Sequence, residues 1–418
     1  MTASAALSSG CSRRNNDRIH LRFWGVGREG EAAAELLQDF IAQQPQIDLE
    51  IQKLPWTAAH EKLLTAYAGE TLPDVCQLGN TWVPEFAALQ ALHPLDARQR
   101  TSSVLDATDY FQGFLDSNRV DGVLYGVPWY VDTRLLYYRR DLLQQAGFDA
   151  PPETWDEWTR MLAAIKLKVG PQRYSVLLPI NEFEPLLILA LQQPQEVLRD
   201  EGRRGNFRSA DFRRALEFYA GMFDRGWAPR MTNTQISNVW DEFGNGLFSF
   251  YISGPWNIAE FRRRLPPSVQ DAWMTAPMPG PHGPGVSAAG GASLVIFESS
   301  SHKDAAWLLI EYLSQPAVQQ HFYQLTGNMP PRRSTWELPA LTQSTYARAF
   351  RTQLERVRSP PKVPEWERIA NEMRLAAERV IQHAASIDAA VTALDAKTDA
   401  ILEKRRWMLD RKSVEVTR

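Results

Sequence analysis

The sequence predicts an α/β protein of two lobes that close on each other like a clamshell, the second richer in helix than the first. Three observations lead there. The first ~110 residues alternate strand and helix signals, which is the pattern of a layered α/β unit with a parallel sheet. Helical periodicity dominates from 175 to 290. Strand character then returns in SAAGGASLVIF (287–297), as though the chain had gone back to the first sheet. A chain that passes between two lobes more than once builds a hinge, with a cleft beside it.

The elements follow in order. IHLRFWGV (19–26) alternates Ile19, Leu21 and Phe23 and reads as a strand. EGEAAAELLQDFIAQQP places Leu36, Leu37, Phe40 and Ile41 on one helical face and stops at Pro45. IDLEIQKL (47–54) alternates again, so strand, helix and strand form a βαβ unit. TAAHEKLLTAYAG, PDVCQLG and TWVPEFAALQAL add helix, strand and helix. RRDLLQQAG is a short helix ended by Gly147, and Thr154 with Glu157 has capping-box spacing for a helix through about Lys168. LFSFYIS (247–253) is a strand, and from Lys303 to Lys404 the chain is almost all helix, interrupted at GNMPPRRS and SPPKVPEW. The breaks between lobes are expected near 128, 290 and 340.

Composition excludes several classes. The chain has 418 residues, 44% hydrophobic and 23% charged, which suits folded domains rather than a disordered polymer. A net charge of −3 offers no field to recruit nucleic acid. No run of about 18 apolar residues is available to span a bilayer. Scattered histidines give no metal site, and no Gly-x-Ser-x-Gly elbow occurs. His60 opens HEKLL, but Leu64 stands where a zinc helix needs its second histidine. GREGE (27–31) is too poor in glycine for a dinucleotide fingerprint, and its acids would repel phosphate.

The chain has two cysteines. Cys76, in LPDVCQLG, reads as a small buried hydrophobe. Cys11 closes AALSSGC, which is similar to the end of a lipoprotein signal, although Leu7 lies one residue too far from the cysteine. Residues 1–17 are read as a truncated signal or anchor remnant, with Cys11 the lipidation candidate.

Two stretches combine rings with polar groups. In GVLYGVPWYVDTRLLYYRRD (122–141), Trp129 and Tyr130 stand beside Asp132, and Pro128 argues against a central strand. Rings that stack on C–H faces, with a carboxylate that accepts O–H donors, suit a sugar. The competing reading is a turn capped by Asp132 and rings that fill a lobe interface. In SFYISGPWNIAEFRRR (249–264) the Gly254-Pro255 turn holds Trp256 at a helix start, either as a platform or packed under the turn. Glu29 should lie at the carboxyl end of the first strand, where open α/β sheets place ligands. Glu29 and Asp132 could also act as a glycosidase pair.

GVLYGVPWYVDTRLLYYRRDLLQQAGFDAPPETWDEW resembles, almost position for position, the signature of family 1 extracellular solute-binding proteins of ABC sugar importers. LPDVCQLGNTWVPEFA, DEFGNGLFSFYISGPW, PMPGPHGPGVSAAGGASLVIF and SPPKVPEW match in the same order. The maltose/trehalose-binding branch is the most similar. The resemblance implies the type II clamshell of periplasmic binding proteins, with three hinge crossings. It implies a first lobe of residues 18–128 plus 291–340, a second of 129–290 plus 341–404, and a tail at 405–418. It implies no catalysis, no cofactor and no metal. The implied partners are a maltose- or trehalose-type oligosaccharide and the permease subunits, for a monomer in the periplasm, anchored if Cys11 is lipidated. The sugar-binding residues implied by position are Glu29, Thr57, Lys62, Asn80, Trp82, Tyr130, Asp132, Trp256, Gly290, Gly291 and Arg332. Ala292 departs from relatives that carry a large aromatic there, so it is expected to leave room at one subsite. A sugar-responsive regulator would need a helix-turn-helix ahead of the strand at Ile19, which the sequence does not provide.

Overall fold

The computed structural model describes residues 18–416, with side chains through 411. Cys11 and the 1–17 segment lie outside the described residues.

The alternating segments at the start form strands β1 (Ile19–Val26) and β2 (Ile47–Leu54), joined by β3 (Val75–Gly79) and β4 (Val127–Asp132). A second group comprises β5 (Leu135–Arg139), β6 (Tyr174–Leu177), β7 (Phe248–Ser253) and β8 (Trp273–Ala276). The last long strand, β9 (Gly290–Ile296), rejoins the first group. The first sheet runs β2-β1-β3-β9-β4, and the second runs β8-β5-β7-β6. β1 is parallel to both β2 and β3, whereas β9 is antiparallel to β3 and β4. The second sheet is also mixed: β5 is antiparallel to β7 and β8, and β7 is parallel to β6.

Each face of the first sheet has its own core. Leu21, Phe23 and Trp129 lie on one side with Phe322; Val26, Leu63, Leu78 and Phe86 lie on the other. The second lobe packs Trp158, Phe250 and Trp366 into a larger helical core. A further cluster joins Phe111, Phe114 and Val131 of the first lobe to Tyr137, Trp273 and Phe350 of the second, so the junction itself is packed. Thr154 caps the helix Trp155–Val169 in the expected reciprocal box with Glu157.

Three expectations are corrected here. The chain stays in the first sheet through Asp132 and changes sheet between Asp132 and Leu135, not at 128. Trp129–Asp132 therefore belong to the first lobe, not to a second lobe starting at 129. Pro128 is tolerated because β4 is the edge strand and Pro128 faces Ser293 at a register shift, where no ladder donor is needed. Most of the aromatic rings of 122–141 are core: Trp129 is 1% exposed and stacks on Phe322 at 4.4 Å, and Tyr137 is fully enclosed. The expected tail after Lys404 is instead part of the helix Glu403–Val416, a stretch with no Gly or Pro to stop it.

The chain returns to the first lobe after β8, where Ser287–Ala288 pairs with Val357–Arg358 before β9 begins. It leaves again after the helix Pro316–Thr326, and the helices Trp366–Ile381 and Ile387–Ile401 pack into the second core.

Gly290 and Gly291 let β9 close on β4. A Cβ at Gly290 would meet the Asp132 carbonyl oxygen at 2.6 Å, and one at Gly291 would meet that of Tyr130 at 2.3 Å. Gly291 also sits at φ +122, a conformation that side chains disfavour. Gly291→Ala is expected to destabilise the protein by about 2 kcal/mol or more. Denaturant melts of the two proteins measure this; equal midpoints at equal slope would contradict it.

Candidate functional site

A cleft of about 860 Å³ lies between the lobes, beside the Asp132–Leu135 passage. The first lobe contributes Glu29, Trp56, Asn80, Trp82, Tyr130, Asp132, Gly290 and Gly291. Facing them from the second lobe are Phe183, Glu184, Trp240, Trp256 and Glu260, with Arg134 at the passage itself.

Glu29 is placed by the junction of β1 with the helix Gly27–Leu36, in whose first turn it stands. Asn328 Nδ2 donates to its Oε1 at 2.5 Å. Its Oε2 is buried with no hydrogen-bond partner. Burial raises the Glu29 pKa; its backbone, the Asn328 bond and the nearby Trp56 and Gln77 side chains oppose the rise. Asp132 ends β4, and its Oδ1 is likewise enclosed and unpartnered. Burial pushes the Asp132 carboxyl up to about 6; Arg134 pulls it down, while Glu184 and Glu29 push it further up. The first lobe thus presents two acceptor oxygens with no donor.

Arg134 ties the opposite wall together. It pairs with Glu184 at 2.8 Å and Glu182 at 3.4 Å, and its guanidinium lies 5.3 Å from the Trp256 ring centre. Burial works against its charge, but Glu184, Asp132 and Glu182 outweigh that and hold it ionised. The Trp256 ring lies over Gly254, where a Cβ would come within 1.9 Å of it. The glycine therefore makes the place for the platform. Trp240 stands near it, with its Nε1 donating to Asn257 at 2.7 Å and Arg264 over its face at 4.2 Å.

Of the residues implied from sequence, Glu29, Asn80, Trp82, Tyr130, Asp132, Trp256, Gly290 and Gly291 meet in this cleft. Thr57, Lys62 and Arg332 are not among its lining residues. Thr57 is exposed, and the neighbouring Trp56, 39% exposed, lines the cleft in its place. Lys62 lies over the Trp24 ring at 5.2 Å. Arg332 is buried, donating to Asp109 at 2.6 Å and to the Ser314 carbonyl at 2.6 Å, which pins the connection between lobes. Asn80 has its amide in use, donating to Ser117 at 3.1 Å and accepting from Ser293 at 2.8 Å. Ala292 is fully buried in the core of the first lobe, so its small side chain opens no subsite.

Sequence reasoning missed Trp56, Trp240, Arg134, Glu184 and Asn328. Trp56 adjoins Thr57, and Arg134 lies two residues past Asp132. Asn328 is brought in by the fold alone, 299 residues from Glu29. Among the described residues, no group of three His, Cys, Asp or Glu is arranged to hold a metal. No helix among them is long and apolar enough to cross a membrane.

Two hinged lobes that enclose rings and unpartnered acceptors define a receptor for a small polar solute. Residues 35–348 match the family model of the bacterial extracellular solute-binding proteins, and the chain belongs to that family. It resembles the solved structure of the sugar-binding protein MalE from the phytopathogen Xanthomonas citri, with 57% identity and a TM-score of 0.91, covering 94% of this chain and 99% of that one. It is also similar to the diacetylchitobiose binding protein DasA of Streptomyces coelicolor, 24% identical over 81% of this chain and 78% of that protein. An arabinooligosaccharide-binding protein of Halalkalibacterium halodurans is 20% identical over 71% of this chain and 67% of its own length. These are binding proteins, and the protein is an extracellular solute-binding protein rather than an enzyme. The glycosidase alternative for Glu29 and Asp132 finds no support among them.

The Asp132 carboxyl gives a pH prediction. Its folded pKa, about 6, exceeds the unfolded value near 3.9, so the native state holds more protons between those values. Stability from this group therefore falls as pH rises from about 4 to about 6 and stays lost above. Asp132→Asn should stabilise the ligand-free protein by roughly 2 kcal/mol at pH 7, with the gain disappearing near pH 4. Calorimetric melting temperatures at both pH values measure this; a gain of equal size at both would contradict it.

Proposed function

We propose that the protein captures an α-linked disaccharide, such as maltose or trehalose, in the inter-lobe cleft and delivers it to the permease subunits of its transporter. The observation that carries this reading is the pairing across one cleft of ring platforms from both lobes with the unpartnered oxygens of Glu29 and Asp132. A disaccharide presents C–H faces to the rings and O–H donors to the carboxylates. The kinship with a protein called MalE supports the maltose-type ligand within the wider range of oligosaccharides bound by the relatives. The receptor works as a monomer in the periplasm, with Cys11 as its point of lipid attachment. The residues assigned to the sugar are Glu29, Trp56, Trp82, Tyr130, Asp132, Trp240 and Trp256.

Titration calorimetry against maltose, trehalose, diacetylchitobiose and arabinobiose tests the assignment. Binding of an α-linked glucose disaccharide, recovered intact after hours of incubation, is the expected result. Asp132→Ala should lose about 1.5–3 kcal/mol of that affinity, the cost of removing a charged acceptor. Trp256→Ala should weaken binding at least about tenfold, or 1.4 kcal/mol, without lowering the ligand-free melting temperature. A large fall in that temperature would instead make Trp256 a packing residue.

Closure gives a further expectation. A ligand that touches both lobes favours the form in which they approach each other. Small-angle scattering should show a smaller radius of gyration at saturating sugar. An unchanged radius with a ligand that binds would sink the closing motion from this form.

A further inference from the structure

We propose that Gln77, which does not line the cleft, is the positioning residue that orients Glu29 and Tyr130 for the ligand. This rests on the sugar-receptor reading above. Gln77 lies in β3 between Cys76 and Leu78 and is fully buried. By strand alternation it shares its face with Val75, a core residue, so the pattern calls for an apolar side chain there. A buried amide costs free energy unless its donors and acceptor are used.

They are used in a directed way. The Val26 backbone N–H donates to Gln77 Oε1 at 2.7 Å. Val26 is the residue at which β1 gives way to the helix carrying Glu29, and no side chain caps that helix start. Because a backbone donor occupies Oε1, the amide cannot turn over, and Nε2 must face the other way. There it donates to the Tyr130 hydroxyl oxygen at 3.3 Å and faces the side of the Glu29 carboxyl, whose pKa it helps to lower. The Tyr130 hydroxyl, receiving that bond, directs its own proton toward the Glu29 carboxylate. Glu29 is held by Asn328 on Oε1 while Oε2 remains unpartnered. One buried amide thus links a strand end, a helix start, a phenol and a carboxylate, and sets the order of acceptor and donor on the cleft floor.

The test uses Gln77→Met, which keeps length and removes the donor, and Gln77→Asn, which keeps an amide too short to bridge both sides. Affinity for the disaccharide that the wild type binds is measured from pH 4.5 to 8, and the Glu29 carboxyl is titrated by carbon NMR without ligand. Without the donor, Glu29 becomes protonated at higher pH, and a protonated acid is a poorer acceptor. Gln77→Met should therefore bind at least about tenfold more weakly at pH 7. Its loss of binding on acidification, and the ligand-free Glu29 midpoint, should both move to higher pH. Gln77→Asn should shift both in the same direction by less, and serves alone if Gln77→Met does not fold. A uniform loss of affinity with neither midpoint moved would reduce Gln77 to packing and overturn the proposal. Should the wild type bind no sugar, the sugar reading fails, and an unmoved ligand-free Glu29 midpoint would still overturn this one.

Discussion

The close contact of β9 with β4 is the constraint on which the rest of the site depends. β9 returns from the second lobe and must enter the first sheet beside an edge strand that has just carried the chain toward that lobe. Gly290 and Gly291 permit it, because any Cβ there would strike the carbonyl oxygens of Asp132 and Tyr130. The contact fixes where β4 ends, and so where Asp132 sits and where the passage through Thr133 and Arg134 begins. Arg134 then emerges beside the acid it partly balances and beneath the ring of Trp256. Sheet pairing, lobe crossing and charge placement are thus consequences of one backbone approach.

That approach leaves the cleft electrostatically strained. Burial raises the pKa of both Glu29 and Asp132, Glu29 pushes that of Asp132 up further, and each keeps an oxygen without a donor. Buried acceptors left unpaired cost about 1–3 kcal/mol each, more when charged. Hydroxyl donors from a ligand would offset that cost without new charge, whereas an anionic ligand would add to the repulsion. The acids on the opposite wall are in a different position: Glu182 and Glu184 share the Arg134 guanidinium and are already satisfied. The unspent acceptor capacity therefore lies on the first-lobe floor.

The layered α/β first half, the helical second half and the returning strand were legible because each is a local pattern repeated over many residues. Glu29 was legible because a strand running directly into a helix fixes the place of the first turn. Trp256 was legible because Gly254-Pro255 restricts the backbone just before it. The short strands β5, β6 and β8 were not read, since a buried apolar run such as LLYYR has no alternation to distinguish it. Arg332 misled because a basic residue after a Pro-rich turn looks the same whether it reaches a ligand or, as here, Asp109 and a carbonyl. Gln77 gave the opposite signal. It broke an apolar strand with a polar residue, which was visible in PDVCQLG but acquired meaning only once Val26, Tyr130 and Glu29 surrounded it.

The contacts that already join the lobes across the cleft bear on what closes it. Arg28 of the first lobe reaches Glu260 of the second at 3.8 Å, with Arg28 mostly exposed and Glu260 also engaged by Arg263 and Arg264. A pair of that kind contributes about 0–1 kcal/mol and weakens with salt. At the other end Thr81 donates to Glu367 at 2.5 Å, a single bond to a carboxylate whose pKa burial has raised. Moving a two-state equilibrium from mostly open to mostly closed takes several kcal/mol of preference for the closed form. Exposed contacts of that kind, the Lys362–Asp116 pair at 3.0 Å included, do not supply it. Rings on both walls and two undersupplied carboxylates on one of them can, but only through a molecule that touches both lobes at once. Under the proposed function, the closing energy therefore resides in the ligand contacts.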